Sequence, residues 1–219
     1  MVEVSTSILN IKKEEAIKTL YELETAKTDY FHIDVMDGKF VKNNTNELML
    51  EYCEYLNSIT NVPLDVHLMV EDVEQYIKSY LVFEPNIITF HLEAAKDAEE
   101  LHKWIKLVKE NNCKVGISIK PNTEIEKIYE ILPYIHMVLV MTVEPGEGGQ
   151  KLIPKTVEKI QKLKQYIEDN NLEVDIEADG GINLNNVEII KEAGCNIIVA
   201  GSAIVNSEDY AGAIKKLKE

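Results

Sequence analysis

The stretch Tyr30-Phe-His-Ile-Asp-Val-Met-Asp-Gly38 decides how the rest of this chain is interpreted. Its apolar residues alternate with His32, Asp34 and Met36, and alternate residues of a β-strand share one face. One face is therefore apolar, whereas the other carries an imidazole and a carboxylate that are costly to bury without partners. Asp37-Gly38 is a turn signal, which puts the polar groups at the carboxyl end of the strand. Taken alone, the stretch also fits a solvent-facing edge strand.

The same order of strand and helix repeats along the whole chain. Apolar, β-branched runs predict strands at residues 2–9, 30–36, 63–70, 86–91, 114–119, 137–141, 173–179 and 196–201. Apolar residues at helical spacing predict helices at residues 12–25, 47–56, 73–80, 97–110, 123–132, 154–170, 185–193 and 209–218. Eight strand and helix pairs therefore follow one another without a linker.

This alternation indicates an α/β protein with a parallel sheet and right-handed crossovers. Eight pairs favour a closed barrel over an open doubly wound sheet, because no Gly-x-Gly-x-x-Gly follows the first strand. We therefore predict a single (β/α)8 TIM barrel, with one domain over residues 1–219. Reactive groups of such barrels lie at the carboxyl ends of the strands and in the loops that follow.

Composition narrows the class of partner. The formal charge of −15 argues against nucleic acid or an anionic membrane surface as the main partner. Cys53, Cys113 and Cys195 are far apart and form no Cys-x-x-Cys, so neither a disulfide framework nor a zinc ribbon is indicated. The start has no basic segment leading into an apolar run, and no stretch approaches eighteen apolar residues. We expect a cytoplasmic protein.

Four ionisable residues fall at strand ends that converge on the barrel axis: His32, Asp34, His67 and Asp179. Two imidazoles and two carboxylates are suitable ligands for one divalent metal ion, such as zinc, iron(II), manganese or cobalt. Each residue alone also fits a hydrogen-bonded core position. Asp65 shares a face with His67 and is predicted to orient a ligand imidazole.

Other histidines are expected to lie outside this set. His91 points inward beside Thr89 and is predicted to support the site or line its pocket, whereas His102 and His136 are expected at the surface or at helix ends. Met36, Met69 and Met141 end three strands and are predicted to wall the pocket, although methionine more commonly fills gaps in a core.

Three glycine-rich loops follow the last three strands. They read Pro145-Gly-Glu-Gly-Gly-Gln150, Asp179-Gly180-Gly181 and Ala200-Gly201-Ser202. Glycine lets backbone N–H groups approach an anion, and the last loops of such barrels commonly bind phosphate. The loops therefore predict a phosphate site built without arginine. Each loop alone also fits a tight turn between strand and helix.

With these residues in place, the chain resembles the ribulose-phosphate 3-epimerase family, essentially from end to end. The motifs that carry the resemblance are Ser7-Ile-Leu, His32-Ile-Asp-Val-Met-Asp-Gly38, Asp65-Val-His-Leu-Met-Val70, Thr89-Phe-His-Leu-Glu-Ala94, Val140-Met-Thr-Val-Glu-Pro-Gly146, Asp179-Gly-Gly-Ile182 and Gly201-Ser-Ala-Ile204.

The resemblance implies a role for each of these positions. His32, Asp34, His67 and Asp179 would bind the metal, Asp34 and Asp179 would also act as the acid and base pair, and Ser7 and His67 would contact the substrate. The phosphate end would be received by Gly146, Glu147, Gly148, Gly149, Gly180, Gly181, Gly201 and Ser202. The resemblance also implies a homo-oligomer and a place in the pentose phosphate pathway.

The implied reaction is epimerisation at C3 of D-ribulose 5-phosphate to give D-xylulose 5-phosphate. Inverting a carbon next to a ketone removes a proton from one face and returns one to the other, which suits two carboxylates. A metal ion would stabilise the ene-diolate between these steps.

Three alternatives remain at this point. The same chemistry could act on a six-carbon ketose phosphate such as D-allulose 6-phosphate. Lys120 ends the fifth strand, where an amine could form a Schiff base in a lyase. A sugar-phosphate binding protein with a decayed site is the third, and Glu147 is the only hint of it.

Two positions depart from the family pattern. Glu147 stands where the family has Phe, and Lys42 stands where it has Pro. A carboxylate near a phosphate is strongly repelled, so Glu147 must point away or be neutralised. We hypothesise that Lys42 and Glu147 form an ion pair across the pocket mouth when the loop closes. They also fit two unrelated solvent-facing substitutions.

Overall fold

Eight strands alternate with helices in the computed structural model, which describes residues 2–219. Met1, the first residue of the predicted domain, lies outside the described residues. The strands are β1 (Glu3–Ser7), β2 (Tyr30–Met36), β3 (Leu64–Met69), β4 (Ile87–His91), β5 (Lys114–Ile119), β6 (Met137–Met141), β7 (Asp175–Asp179) and β8 (Ile197–Ala200).

Every strand pairs in parallel with its neighbours in sequence, and β8 pairs with β1, so the sheet closes into a barrel. This confirms the predicted (β/α)8 barrel. The register of β2 and β3 sets His32 beside Asp65 and Asp34 beside His67. Two polar pairs therefore lie one above the other inside the barrel, because alternate strand residues share a face.

Within the described residues, eight α-helices surround the barrel: α1 (Ala16–Thr25), α2 (Asn46–Ile59), α3 (Val73–Leu81), α4 (Ala98–Glu110), α5 (Lys155–Asp169), α6 (Val187–Glu192), α7 (Ser202–Val205) and α8 (Tyr210–Lys218). Asp72, Asp97 and Asp209 cap α3, α4 and α8, each by accepting a hydrogen bond from a backbone N–H of the first turn. The short helix α7, which follows β8 directly, was not predicted. Across residues 2–219, no helix combines the length and the apolar character that a membrane crossing requires.

The helix predicted at residues 123–132 is wrong. The structure has two 3₁₀ turns there, Ile125–Ile128 and Leu132–Tyr134. Ile125, Ile128 and Ile131 are buried and recur every three residues, which matches the 3.0 residues per turn of a 3₁₀ helix. Pro133 also lacks the N–H that an α-helix would need and disfavours the α conformation of the residue before it.

In the part of the chain that the structure describes, the buried apolar residues form two clusters. The larger core lies between the strands and the helices and includes Phe31, Ile33 and Val35 of β2. A smaller cluster lies inside the barrel and includes Leu139 and Met141 of β6. The buried histidines and carboxylates of β2, β3, β4 and β7 also lie inside the barrel.

Gly116 shows how closely the barrel interior is filled. A Cβ atom at this position would lie 2.1 Å from the hydroxyl oxygen of Thr89 on the neighbouring strand. Any larger residue would therefore displace Thr89, which lies beside His67 in the register of β3 and β4. Because Gly116 has no side chain, there is room inside the barrel for Thr89 beside His67.

Candidate metal and acid-base site

His32, Asp34, His67 and Asp179 converge at the carboxyl ends of β2, β3 and β7. Asp34 Oδ1 lies 3.4 Å from His32 Nε2 and 3.4 Å from His67 Nδ1. Asp179 Oδ2 approaches the same two nitrogens, at 3.9 Å and 3.7 Å. The structure thus brings together all four residues that sequence analysis predicted as metal ligands.

The donor atoms of this cluster fit a divalent metal ion. One ligand atom from each of the four residues lies within 4.8 Å of the others. His32 Nε2 and His67 Nδ1 are buried nitrogens without a hydrogen-bond partner, and both face the carboxylates of the cluster. Unpartnered buried nitrogens are costly in a folded protein, and coordination to an ion would satisfy both.

Asp65 orients His32. Its Oδ2 atom accepts a hydrogen bond of 2.6 Å from His32 Nδ1 and a second, of 2.7 Å, from Ser5 Oγ. Because Asp65 keeps the proton on Nδ1, the neutral form of His32, which is the form that can bind a metal ion, has its lone pair on Nε2, and this nitrogen faces the cluster. Sequence analysis predicted that Asp65, which shares a strand face with His67, orients a ligand imidazole. The imidazole that Asp65 contacts in the structure is that of His32.

The two carboxylates of the cluster have opposite protonation tendencies. Burial alone would raise the pKa of Asp34, but the neighbouring imidazole of His32, whose own pKa is raised by Asp65 and Asp34, holds it below its ordinary value. Ser7 Oγ also donates a 2.8 Å hydrogen bond to Asp34 Oδ2. For Asp179, burial and the negative charge of Asp34 raise the pKa to about 6. The pair therefore combines a carboxylate that stays ionised with one that takes up a proton near neutral pH.

Glu177 is a functional candidate that sequence analysis missed. It lies two residues before Asp179 on the inward face of β7, is fully buried, and has no hydrogen-bond partner for either oxygen. Burial and the nearby charge of Asp65 raise the pKa of Glu177 well above its ordinary value. The alternation of Asp175, Glu177 and Asp179 along one strand was the signal that could have found it.

Glu93 was also missed. His67 Nε2 lies 2.9 Å from His91 Nε2, and His91 Nδ1 lies 3.2 Å from Glu93 Oε2. His91 was predicted to support the site, and its contact with His67 agrees with that. Burial lowers the pKa of His91 to about 4, so that the ring is neutral at pH 7.

A cavity of about 70 Å³ opens above the cluster, and Asp34 and Asp179 form part of its wall. The side chains of Ser7, Met36, Met69 and Met141 also line it, and so do the glycine-rich residues 146–149, 180–181 and 201–202. These are the predicted pocket-wall and substrate-binding positions. His67, for which substrate contact was also predicted, is fully buried and lies outside the cavity wall.

Gly181 has to be glycine for the loop after β7 to pass this cavity. Its φ of +68° is in the left-handed region, and a Cβ atom there would lie 2.4 Å from the backbone nitrogen of Leu152. The close approach joins the loops after β6 and β7. At Gly181 the backbone therefore lies at the cavity without a side chain of its own.

The hypothesised pair of Lys42 and Glu147 is not formed in this structure. Both residues are exposed, and the salt bridges found within residues 2–219 involve neither of them. The two loops meet instead through Asn43, whose Nδ2 donates a 2.7 Å hydrogen bond to the carbonyl oxygen of Gly146. A neutral contact thus joins the two loops in this structure, whereas the ion pair was hypothesised for the closed loop.

Lys120 does not support the Schiff-base alternative. Its ammonium group lies 4.0 Å from the centroid of the Phe40 ring, and that ring packs against His91. Asp34 and Asp179 line the cavity, whereas Lys120 does not. A carbonyl carbon held between the two carboxylates would not meet this amine.

Comparison with known proteins identifies relatives over the full length of the chain. A profile of the "Ribulose-phosphate 3 epimerase family" matches residues 3–205. The ribulose-phosphate 3-epimerase of Bacillus subtilis is 36% identical over 219 residues, which cover 100% of this chain and 99% of that protein. The ribulose-phosphate 3-epimerase of Methanocaldococcus jannaschii is 36% identical over 219 residues, which cover 100% of this chain and 91% of that protein.

Solved structures agree on the fold. The 3-hexulose-6-phosphate synthase of Salmonella typhimurium matches with a TM-score of 0.70 at 16% identity, covering 99% of this chain and 96% of that one. KGPDC from Streptococcus mutans matches with a TM-score of 0.74 at 12% identity, covering 100% of this chain and 96% of that one. At these identities the likeness extends to the fold alone.

Proposed function

The chain belongs to the ribulose-phosphate 3-epimerase family, and we propose that it interconverts D-ribulose 5-phosphate and D-xylulose 5-phosphate by inverting C3. The observation that carries this proposal is the pair Asp34 and Asp179. Both carboxylates line one cavity, and their pKa values are shifted in opposite directions. Epimerisation requires such a pair, because one group accepts a proton while the other delivers one.

In the proposed reaction, one carboxylate removes the C3 proton and the other returns a proton to the opposite face. Asp34 is held ionised by His32 and is the base in one direction. Asp179, with a pKa raised to about 6, exchanges its proton near neutral pH and is the acid. In the reverse direction the two residues exchange roles, as microscopic reversibility requires.

His32, His67, Asp34 and Asp179 are the residues that would hold a divalent metal ion, through the atoms that face one another in the cluster. Such an ion supplies electrostatic stabilisation of the negative charge that develops on the substrate oxygens. Asp65 keeps His32 in the tautomer that leaves Nε2 free for this ion. Zinc, iron(II), manganese and cobalt all suit two imidazoles and two carboxylates.

The phosphate end of the substrate is assigned to the glycine-rich residues 146–149, 180–181 and 201–202. These residues line the same cavity as the two carboxylates. The chain contains no arginine, and the residues among 2–219 that line the cavity include no lysine, so we assign the phosphate to local backbone N–H groups. Met36, Met69 and Met141 line the cavity around the carboxylates and would limit the access of water to the reacting carbon.

Deuterium incorporation tests the reaction directly. Purified protein, incubated with D-ribulose 5-phosphate in D2O, is expected to form D-xylulose 5-phosphate that carries solvent deuterium at C3. The same assay with D-allulose 6-phosphate separates five-carbon from six-carbon specificity, and we expect faster turnover of the pentose. Absence of both conversion and exchange would leave a sugar-phosphate binding protein as the better description.

The metal requirement is tested on the same preparation. Metal content is measured on protein purified without chelator, and turnover is measured before stripping, after stripping and after reloading with each candidate ion. Loss on stripping and recovery on reloading are expected. Activity that survives complete removal of metal would contradict the assigned role of the cluster.

From the family membership we also infer a homo-oligomer that works in the cytoplasm. Light scattering coupled to size-exclusion chromatography measures the number of subunits. A monomer at micromolar concentration would contradict this inference.

A further inference from the structure

A line of three side chains runs away from the candidate metal cluster on the side of β4. It consists of His67, His91 and Glu93, and both imidazoles are fully buried. His67 Nε2 and His91 Nε2 are 2.9 Å apart, and the two rings meet edge to edge with their centroids 5.0 Å apart. His91 Nδ1 then lies 3.2 Å from Glu93 Oε2. Both ring nitrogens of His91 therefore have a hydrogen-bond partner, His67 on one side and Glu93 on the other.

The far end of this line is a pure hydrogen-bond acceptor. Glu93 Oε1 accepts a 2.8 Å hydrogen bond from the backbone N–H of Lys120 and another from the Thr123 hydroxyl. Burial would raise the pKa of Glu93, but its hydrogen bonds to His91 and Thr123 lower it to about 2. An ionised carboxylate has no proton to donate, so His91 Nδ1 has to carry the proton in its bond to Glu93.

The position of the proton on His91 also fixes the position of the proton on His67. A neutral imidazole with a proton on Nδ1 has its lone pair on Nε2, so His91 Nε2 accepts a hydrogen bond. The 2.9 Å bond between the rings is then donated by His67 Nε2. His67 Nδ1 is left with its lone pair, and this is the atom that faces Asp34 Oδ1 at 3.4 Å and Asp179 Oδ2 at 3.7 Å.

We propose that Glu93 is a positioning residue that acts through His91 to hold His67 in the tautomer whose Nδ1 is free to bind the metal ion. The proposal rests on the metal site of the proposed function. The tautomer of His32 is set directly, since Asp65 accepts the hydrogen bond from its Nδ1–H group at 2.6 Å. The relay through His91 sets the tautomer of His67 without bringing another carboxylate against a cluster that already contains Asp34 and Asp179.

The position of Glu93 is itself supported from outside the barrel. Lys159 Nζ donates hydrogen bonds to the backbone carbonyl oxygens of Lys120, Pro121 and Thr123, at 2.9, 3.0 and 2.6 Å. These bonds hold the loop after β5, which supplies the two donors to Glu93 Oε1. Phe40 covers His91 from the loop after β2, with ring centroids 4.9 Å apart.

Glu93→Gln distinguishes an effect on the His67 tautomer from an effect on packing. The amide has nearly the same shape as the carboxylate, but one of the two acceptor oxygens is replaced by an NH2 donor. If the NH2 group faces the Lys120 N–H and the Thr123 hydroxyl, it opposes the backbone donor. If it faces His91, then His91 Nδ1 becomes an acceptor, its Nε2 becomes a donor, and the proton of His67 moves to Nδ1. The second arrangement blocks the nitrogen that the metal requires.

The experiment measures the His67 tautomer and the metal affinity separately. Imidazole 15N chemical shifts are recorded on metal-free protein at about pH 8, and Zn²⁺ affinity is measured by competition with a chromophoric chelator. Wild-type protein is expected to show His67 with its proton on Nε2. Glu93→Gln is expected to move this proton, wholly or in part, to Nδ1 and to weaken Zn²⁺ binding by at least ~10-fold, as for other partners of metal-bound histidines.

Thr123→Val is the matched control, because it removes a neighbour of Glu93 Oε1 and leaves Oε2 against His91. We expect it to keep the wild-type tautomer and to change Zn²⁺ affinity by less than about twofold, since the relay atoms are untouched. A second test is His91→Phe, which should weaken Zn²⁺ binding. Adding Glu93→Gln to His91→Phe should cause no further loss, because residues of one network are not additive.

Two results would overturn the relay: a Glu93→Gln protein with the wild-type tautomer and wild-type Zn²⁺ affinity, or a Thr123→Val protein that loses as much affinity as Glu93→Gln. Failure of the proposed function is a distinct outcome. If wild-type protein neither binds Zn²⁺ nor epimerises, the metal-based function fails, whereas the tautomer measurement on metal-free protein still decides the relay.

Discussion

Asp34 and Asp179 approach the same two imidazole nitrogens from different strands of the barrel, yet their pKa values move in opposite directions. Asp34 lies at 3.4 Å from both nitrogens and is held ionised, whereas Asp179 lies at 3.7 and 3.9 Å, keeps 15% of its side chain exposed and has its pKa raised to about 6. Two identical groups in one cavity thereby acquire different protonation tendencies.

Asp179→Asn should keep the fold and lose the reaction, because the amide has nearly the same shape but cannot carry the proton. We expect turnover to fall by at least ~10²-fold, as for removal of a general acid or base. Asp175→Asn, the same substitution at an exposed position of β7, is the control and should retain activity. Near-wild-type turnover of Asp179→Asn would exclude this residue as a proton carrier.

His67→Ala should lower both metal content and turnover. Its Nδ1 atom has no hydrogen-bond partner and faces both carboxylates, which makes it a ligand atom in the proposed site. We expect metal affinity to fall by at least ~10-fold, which metal analysis after dialysis and chelator competition will measure. His102→Ala, on the exposed face of α4, is the control. Full occupancy with unchanged affinity would refute the ligand role of His67.

Glu93→Gln should lose stability in a manner that depends on pH. The pKa of Glu93 falls from 4.5 to about 2 on folding, so its ionised form stabilises the folded state above pH 4.5, and this contribution is lost as pH falls from 4.5 towards 2. At pH 7 the variant should be less stable than wild type by about 1.5–3 kcal/mol, the range for hydrogen bonds to a charged group.

Urea unfolding of the metal-free proteins at pH 7, 5, 4 and 3 measures this difference, which should shrink below pH 4.5. Metal-free protein is used because a bound ion would add its own stabilisation. Glu99→Gln, at an exposed position of α4, should differ from wild type by less than about 0.5 kcal/mol at pH 7. A difference between wild type and Glu93→Gln that stays constant from pH 7 to pH 3 would show that the charge of Glu93 is not involved.

Lys42→Ala and Glu147→Ala should act independently on substrate affinity. Both side chains are exposed, and the contact between their loops is the hydrogen bond from Asn43 to Gly146. In a double-mutant cycle we expect the effects on KM to be additive within about 0.5 kcal/mol. Coupling above that value that weakens as salt is added would instead establish an ionic clasp in the closed state.

Asn43→Ala removes the contact that the structure does contain. We expect it to raise KM with little change in kcat, because the hydrogen bond holds a loop that lines the cavity and lies away from the two carboxylates. Asn44→Ala, one residue further along the same loop, is the comparison. If Asn43→Ala leaves KM unchanged, the bond to Gly146 does not contribute to substrate binding.

The local pattern of apolar residues was sufficient to predict most of the strands and helices. Strands show as alternating or continuous apolar runs and helices as runs at helical spacing, and these periods depend only on neighbouring residues. The segment at residues 123–132 is the exception, because isoleucines spaced by three residues suit both an α-helix and 3₁₀ turns. Pro133 and the packing of that segment decide the outcome, and packing is not a local property.

The sequence by itself determined that His32, Asp34, His67 and Asp179 lie at strand ends, since side-chain direction along a strand follows from its period of two. Tertiary structure alone decided which atoms of these residues meet. The register of β2 against β3 and the closure of the barrel bring residues far apart in the chain within 4 Å of one another.

The same reason explains why the sequence did not predict the contacts of Glu93 and Glu177 or the absence of an ion pair between Lys42 and Glu147. A hydrogen bond requires two groups at about 3 Å in a defined direction, and the protonation of a buried carboxyl depends on every charge around it. These quantities depend on three-dimensional distances that no spacing along the chain specifies. The sequence therefore determined which chemical groups the barrel carries, and only the folded structure decided which of them lie close enough to form a hydrogen bond or to bind one ion together.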